Sequence, residues 1–236
     1  MEINNPRGIV LMALGFALFA VADTIAKVLL DYYPPLQVVF LRQLGLFFGV
    51  NLIMLYNLKW VGKTHNFSKQ LLRGLTQAGS AVIFLVGLRT IPIADATSIA
   101  FVAPLFVIVF SYFILKEPIG FRRWLAVIIG FSGTLIIIRP GFEIINLGHL
   151  FIIIAALLFA LRQILSRLLA STDDPITTAF FTAYTSVFIF VLFQPWVWTP
   201  ITDKNHIFLF LVYAAFAGAA EFLVIKSLQI AHAVVV

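Results

Sequence analysis

The chain has 236 residues, of which 62% are hydrophobic and only 11% are charged, whereas soluble domains carry about 25% charged residues. A soluble fold of this length could not hide so much apolar surface from water, so the composition excludes a soluble domain and indicates a membrane protein. The net charge is +6 and cysteine is absent, which excludes disulfides and thiolate metal sites, and the basic residues lie mainly in alternate loops, which argues against a nucleic-acid-binding protein.

The first apolar segment, residues 8–31, is predicted to be a membrane helix. Its start also resembles a secretory signal, because Arg7 precedes the apolar run and Ala20-Val21-Ala22 resembles a small-residue cleavage site. A membrane span is favoured over a signal because equally apolar segments follow, and because the helical pattern continues through Asp23 and Lys27.

Seven further segments have the length and composition of membrane spans. A helix needs about 20 residues to cross the hydrocarbon core, and turn-forming residues, most of them prolines, separate the segments. The apolar runs are too long for strands and do not alternate with period two. The fold class is therefore an all-α membrane protein, a polytopic bundle of eight transmembrane helices. The predicted spans are 8–31, 35–57, 72–91, 95–115, 121–138, 148–170, 175–194 and 206–229.

The charge of the connecting loops predicts the orientation of the bundle. Loops on the cytoplasmic side of a membrane carry an excess of Lys and Arg, so the N-terminus is expected in the cytoplasm. The basic residues assigned to that side are Arg7, Lys59, Lys63, Lys69, Arg73, Lys116, Arg122 and Arg123, whereas Arg89, Arg139 and Lys204 fall on the other side.

A shift of 140 positions partly superposes the chain on itself. Lys27 then falls on Arg167, Pro35 falls on Pro175, and residues 18–20 match an identical triplet at 158–160. A first unit of five spans is odd in number, so the second unit enters from the opposite side, as in the inverted repeats of many secondary transporters. We expect one repeat at 1–141 and an incomplete second repeat at 148–236, with three helices and the start of a fourth. By this reasoning an intact protein would have ten spans.

Several motifs resemble a known family. Taken together they are similar to the EamA domain, the repeat unit of the drug/metabolite transporter superfamily, and most similar to bacterial S-adenosylmethionine uptake transporters and uncharacterised EamA proteins. The resemblance implies a secondary-active transporter of small metabolites in the bacterial inner membrane, working by alternating access on S-adenosylmethionine-like or other amino-acid-derived solutes. The residues that carry the resemblance are Asp23 with Lys27, Phe40-Leu41-Arg42, Arg73-Gly74, the turn 91–96, Pro104-Leu105-Phe106, Lys116-Glu117-Pro118, Trp124, Gly130, Gly133 and Arg139-Pro140-Gly141.

Charged residues inside the spans are the candidate solute-binding residues, because a charge at mid-bilayer costs at least about 2.5–3.5 kcal/mol. Asp23 and Lys27 share one helix face, as a cavity-lining pair or as a pair that neutralises itself. Arg42 suits a carboxylate or phosphate on the solute, or pairs with an acidic residue. Arg162 is a further cavity candidate. Glu221 has three possible roles: it binds a cation, carries a coupling proton, or pairs with Arg162 or Arg42.

Small residues indicate close helix packing. Gly45 and Gly49 have the GxxxG spacing, which favours a contact within the chain, with a homodimer contact as the alternative. Spans one to four and six to eight are expected to surround a central polar cavity, with span five peripheral.

Other functions leave weaker signals. The sequence has no P-loop, no metal-binding spacing of histidines and no cluster of catalytic residues, so neither an enzyme nor a metal or cofactor site is predicted. The remaining alternative is a non-transporting fragment, or a subunit that needs a partner to complete the bundle. The expected partners are a small-molecule solute and the lipid bilayer.

Overall fold

The computed structural model describes residues 4–57, 62–116, 120–138 and 147–232. Lys59, Glu117, Pro118, the Arg139-Pro140-Gly141 motif and residues 233–236 lie outside these ranges, as does the side chain of Arg123. The described residues form helices and contain no β-strand. The helices are α1 (Asn5–Leu29), α2 (Pro35–Asn57), α3 (Phe67–Thr90), α4 (Ile93–Ala100), α5 (Ala103–Phe110), α6 (Phe121–Ile138), α7 (Leu147–Leu169), α8 (Pro175–Val197) and α9 (Lys204–Ile230), with a π-helical turn at Ser111–Leu115 after α5.

Local residues account for the starts of these helices. Pro35 and Pro175 open α2 and α8, where the missing N–H costs nothing and the fixed φ angle suits a helix. The side chain of Asn4 accepts a hydrogen bond from the backbone N–H of Arg7, and that of Asp203 accepts one from Asn205. The starts of α1, α2, α8 and α9 are therefore determined by residues at the helix ends themselves.

The predicted helical membrane class is confirmed, and seven of the eight predicted spans appear as membrane-length helices among the described residues. Seven segments of the described chain are long and apolar enough to cross a membrane, and they correspond to predicted spans one to four and six to eight. The predicted fifth span, 121–138, forms α6, which extends to the last described residue before the gap at 139–146. Its role as a further membrane span stays a prediction.

The fourth span is broken in the middle, whereas the sequence predicted one continuous helix. It is α4 followed by α5, with Phe101 and Val102 between them. Pro104 explains the break, because it has no N–H to donate to the carbonyl of Ala100 and its ring clashes with that carbonyl in a continuous helix. The interruption is local, because Phe101 and Val102 keep right-handed helical backbone angles.

The long helices pack in a pattern with internal symmetry. Helix α3 packs against α7 and α8, helix α9 against α1 and α2, and α2 against α8. Exchanging α1, α2 and α3 for α7, α8 and α9 leaves this set of contacts unchanged. Such a pattern is expected of a repeat, while the inverted ten-span form stays a prediction.

The two glycines of the GxxxG spacing have different surroundings. A Cβ atom added at Gly45 would lie 1.7 Å from the carbonyl oxygen of Ala214, and one added at Gly218 would lie 2.7 Å from the carbonyl carbon of Gly45. Helices α2 and α9 therefore cross with their backbones in contact at this point. A Cβ atom at Gly49 would meet no atom within 4 Å, so only Gly45 serves packing within the chain.

Candidate functional site

A cavity of about 740 Å³ lies between α1, α3, α4, α5 and α7. Helix α2 contributes Arg42 to its wall and α6 contributes Val127. The polar side chains of the wall are those of Asp23, Arg42, Gln77, Ser80, Thr97, Arg162 and Gln163, and the aromatic ones are those of Phe16, Phe19, Phe84, Phe101 and Phe159. The volume and this mixture suit a small organic solute with a flat ring and charged groups.

Spans one to four and six to eight are expected to surround the cavity, but not all of them contribute to its wall. Spans one to four and six supply the wall, but none of its described residues comes from α8 or α9. Helix α8 packs against α2 and α3, and α9 packs against α1 and α2, so both lie behind the helices that face the cavity. The fifth span is not fully peripheral either, because Val127 reaches the wall.

Asp23 and Arg42 present opposite charges to the cavity. The Asp23 side chain is partly exposed and makes no hydrogen bond or ion pair with a described residue. Arg42 places its guanidinium carbon 5.2 Å from the centroid of the Phe19 ring, a cation–π distance, and its buried Nε atom has no hydrogen-bond partner. Both groups therefore retain bonding capacity for a ligand.

Behind the wall lies a buried ion cluster of Arg73, Arg162 and Glu221. Arg73 Nη2 is 3.0 Å from Glu221 Oε1, and Arg162 Nη1 donates to Glu221 Oε2. Arg73 also donates from Nε to Ser166 Oγ at 2.5 Å and from Nη1 to Thr182 Oγ1. The cluster joins α3, α7, α8 and α9. Of its three ionic groups, only Arg162 also lines the cavity.

The structure thus separates the five residues proposed from the sequence. Asp23, Arg42 and Arg162 line the cavity, whereas Glu221 sits behind the wall as the counterion of two arginines. Lys27 lies outside the lining. It does not pair with Asp23, and its Nζ instead donates to the carbonyl oxygens of Leu88 at 2.5 Å and Ile91 at 3.0 Å.

Arg73 is the residue that sequence reasoning misplaced. Its position near the start of α3 put it with the cytoplasmic loop charges, but its side chain is 0% exposed. A signal was present, because polar residues recur on α3 at positions 70, 73, 77 and 80, a spacing that follows one helix face. All four side chains are buried, so this polar stripe marks the interior face of the helix.

Lys27 stabilises the end of α3. The last carbonyl groups of a helix have no partner within the helix, and Lys27 supplies a charged donor to two acceptors there. Arg167, its counterpart in the predicted repeat, lies in a comparable place, with Nη2 3.4 Å from Nδ1 of His232 just beyond α9. The role that the contacts support for Lys27 is structural.

We expect Lys27→Met to lower the free energy of unfolding by about 1.5–3 kcal/mol, because it removes hydrogen bonds from a charged donor and keeps the apolar stem. Unfolding in detergent by heat or by a denaturing surfactant measures this. Lys204→Met, at an exposed position at the start of α9, is the matched control and should leave stability unchanged. If Lys27→Met instead kept full stability and bound the solute more weakly, Lys27 would be a solute-binding residue.

Two polar corners close opposite ends of the bundle. At one end, the turn between α1 and α2 meets the start of α9, where Tyr33 Oη and His206 Nδ1 are 2.9 Å apart. Burial and the charge of Asp203 raise the pKa of Tyr33, so the phenol keeps its proton. At the other end, the turn between α7 and α8 meets the start of α3, where Asp173 Oδ2 accepts from Gln70 at 2.8 Å and from Thr64 at 2.7 Å.

Comparisons with known proteins agree with this architecture. The model of the EamA-like transporter family matches residues 6–139. The S-adenosylmethionine uptake transporter of Rickettsia prowazekii (strain Madrid E) is 26% identical over 233 residues, covering 96% of this chain and 77% of the relative. A riboflavin transporter of Vibrio cholerae is 31% identical over 116 residues, covering 49% of this chain and 39% of the relative. A solved crystal structure superposes with a TM-score of 0.78 at 16% identity, covering 98% of this chain and 80% of the other, which indicates a shared fold.

Proposed function

Because the chain belongs to the EamA-like transporter family, we propose that it is a secondary-active transporter that moves an amino-acid-derived solute by alternating access. The broader description follows from the family and the spans: it is an integral membrane protein of the bacterial plasma membrane that transports small metabolites. The proposal adds the class of solute and the mechanism.

The cavity wall is the observation that carries the proposed solute class. It combines one carboxylate, Asp23, with two guanidinium groups, Arg42 and Arg162, and with several phenylalanine rings. Such a wall complements a solute that has a cationic group, an anionic group and a flat ring. S-adenosylmethionine has all three, and the Rickettsia relative is named for its uptake. Lys27 and Glu221 contribute indirectly in this proposal, by holding the helices of the wall.

The two polar corners support alternating access. They join corresponding parts of the predicted repeat, the α1–α2 turn with the start of α9 and the α7–α8 turn with the start of α3, at opposite ends of the bundle. Their bonds join polar side chains near the ends of helices, where movement of the helix ends can break and reform them. Opening one corner while the other stays closed would expose the cavity to one side at a time.

Uptake into proteoliposomes tests the proposed function. Vesicles containing the purified protein should accumulate radiolabelled S-adenosylmethionine faster than protein-free vesicles, and unlabelled S-adenosylmethionine inside the vesicles should accelerate entry by exchange. Riboflavin, the solute named for other relatives, serves as the competing candidate. Transport of riboflavin with no transport of an amino-acid-derived solute would show that the proposed class is wrong.

We expect Arg42→Ala to abolish uptake, at least a hundredfold in initial rate, without preventing membrane insertion. Removing a charge from a span makes insertion easier, while the cavity loses a guanidinium that has no hydrogen-bond partner at Nε. Arg89→Ala removes an exposed arginine near the end of α3 and should transport normally. Unchanged uptake by Arg42→Ala would show that Arg42 does not contact the solute.

A further inference from the structure

The charged groups of the cavity wall and the ion cluster do not balance. Three guanidinium groups, those of Arg42, Arg73 and Arg162, accompany two carboxylates, those of Asp23 and Glu221. With their ordinary charges these five groups carry one net positive charge. A buried charge is stabilised when an opposite charge approaches it, so the wall favours an anionic group on a ligand.

The hydrogen bonds identify the arginine with free capacity. Arg73 uses all three nitrogens, donating from Nε to Ser166, from Nη1 to Thr182 and from Nη2 to Glu221. Arg162 uses only Nη1, which donates to Glu221, while its buried Nε and Nη2 atoms have no partner. A buried donor without an acceptor costs about 1–3 kcal/mol, so this arrangement is stabilised by any group that accepts from both nitrogens.

The two free nitrogens of Arg162 form one edge of the guanidinium plane. The Nε–H and an Nη2–H bond point the same way, and this fork matches the two oxygens of a carboxylate. Glu221 holds the opposite part of the group through Nη1, and the Phe159 ring lies over the guanidinium with its centroid 4.5 Å from the carbon. The Arg162 side chain is therefore held from two directions, with its bidentate edge unoccupied.

We propose that Arg162 binds the carboxylate of the transported solute through its Nε–Nη2 edge. This inference rests on the proposed function and specifies which part of the solute the protein recognises. Arg162 lines the cavity, so the carboxylate would approach from there, beside Phe159. Asp23, on α1, lines the same cavity and makes no hydrogen bond or ion pair with a described residue, so it can accept the cationic part of the same molecule.

Binding measurements on ligand pairs that differ only in the carboxylate test this inference. The 236-residue protein in detergent is titrated with S-adenosylmethionine and its decarboxylated form, and with tryptophan and tryptamine. A pair of hydrogen bonds to a charged group predicts that the carboxylate member binds about ten- to a hundredfold more tightly. Arg162→Gln should abolish this preference, so that both members bind with the weaker affinity, whereas Arg89→Gln should retain it.

Arg162→Lys covers the case in which Arg162→Gln does not fold. Lysine keeps a positive charge for Glu221 but has no planar fork, so the preference should fall below tenfold while the protein remains folded. Equal binding of both members by the unaltered protein, or a preference that survives in the folded Arg162 variants, would overturn the inference. The proposed function fails differently: carboxylate-dependent binding would persist, but no solute would cross the bilayer of proteoliposomes.

Discussion

Replacing Glu221 with Gln is expected to destabilise the folded protein by about 3–5 kcal/mol, because breaking a buried ion pair leaves uncompensated charge behind. Glu221 is 2% exposed and is the shared counterion of Arg73 and Arg162. Glutamine has nearly the same shape, so the loss comes from charge alone. Since proteins are stable by only about 5–15 kcal/mol, we expect most of the variant to be lost from the membrane.

The amount of monodisperse protein after detergent extraction, and its unfolding temperature, measure this loss. Lys226→Gln changes a partly exposed charge further along α9 and should behave like the unaltered protein. The double variant Arg73→Gln, Glu221→Gln should lose less stability than the two single losses added together, because it removes both members of one pair. Additive losses would show that Arg73 and Glu221 do not interact.

Replacing Gly45 with Ala is expected to cost more than about 3 kcal/mol, although only one carbon is added. The new Cβ atom would lie 1.7 Å from the carbonyl oxygen and 2.3 Å from the carbonyl carbon of Ala214. Both are backbone atoms of α9 and cannot rotate away, so α2 and α9 must separate. That separation would also disturb the cluster around Glu221, which lies on α9.

Gly49→Ala is the matched control, since it adds the same carbon to the same helix at a position with open space. Alanine is favoured over glycine in a helix by up to about 1 kcal/mol, so this variant should be equally stable or slightly more stable. The unfolding temperature of Gly45→Ala should therefore fall well below that of the unaltered protein, while that of Gly49→Ala should stay the same or rise slightly. Similar stability of the two would show that α2 and α9 do not approach as closely as the structure shows.

Membrane class, span positions and family could all be predicted from the sequence. Each depends on local properties, such as an apolar run of sufficient length, a proline at a helix start, or a motif within a few residues. The break in the fourth span shows the limit of this approach. Pro104 belongs to a family motif, but the apolar run around it has the composition of an uninterrupted span and gives no sign of the break at Ala100.

The candidate site was predictable only as a set of charged residues. Sequence identified Asp23, Arg42, Arg162 and Glu221 because charges are rare in spans, but it could not say that Glu221 lies behind the wall. Arg73 shows the opposite case. Its position near a helix end predicts a loop charge, but the fold buries its side chain against three other helices. Partners such as Thr182 and Glu221 are more than 100 residues away in the chain.

The sequence by itself determined which segments enter the membrane and which charges go with them, because transfer into a bilayer depends on the composition of each segment. Only the tertiary structure decided which faces of α1, α2 and α7 point inward, and hence that Arg162 faces the cavity, Lys27 caps α3, and Gly45 rather than Gly49 touches α9. In a soluble protein, polar and apolar faces differ, and periodicity reveals the interior. In a bilayer, a helix without a polar stripe like that of α3 is apolar on its lipid-facing and protein-facing sides alike, so its inward face is set by contacts with distant helices.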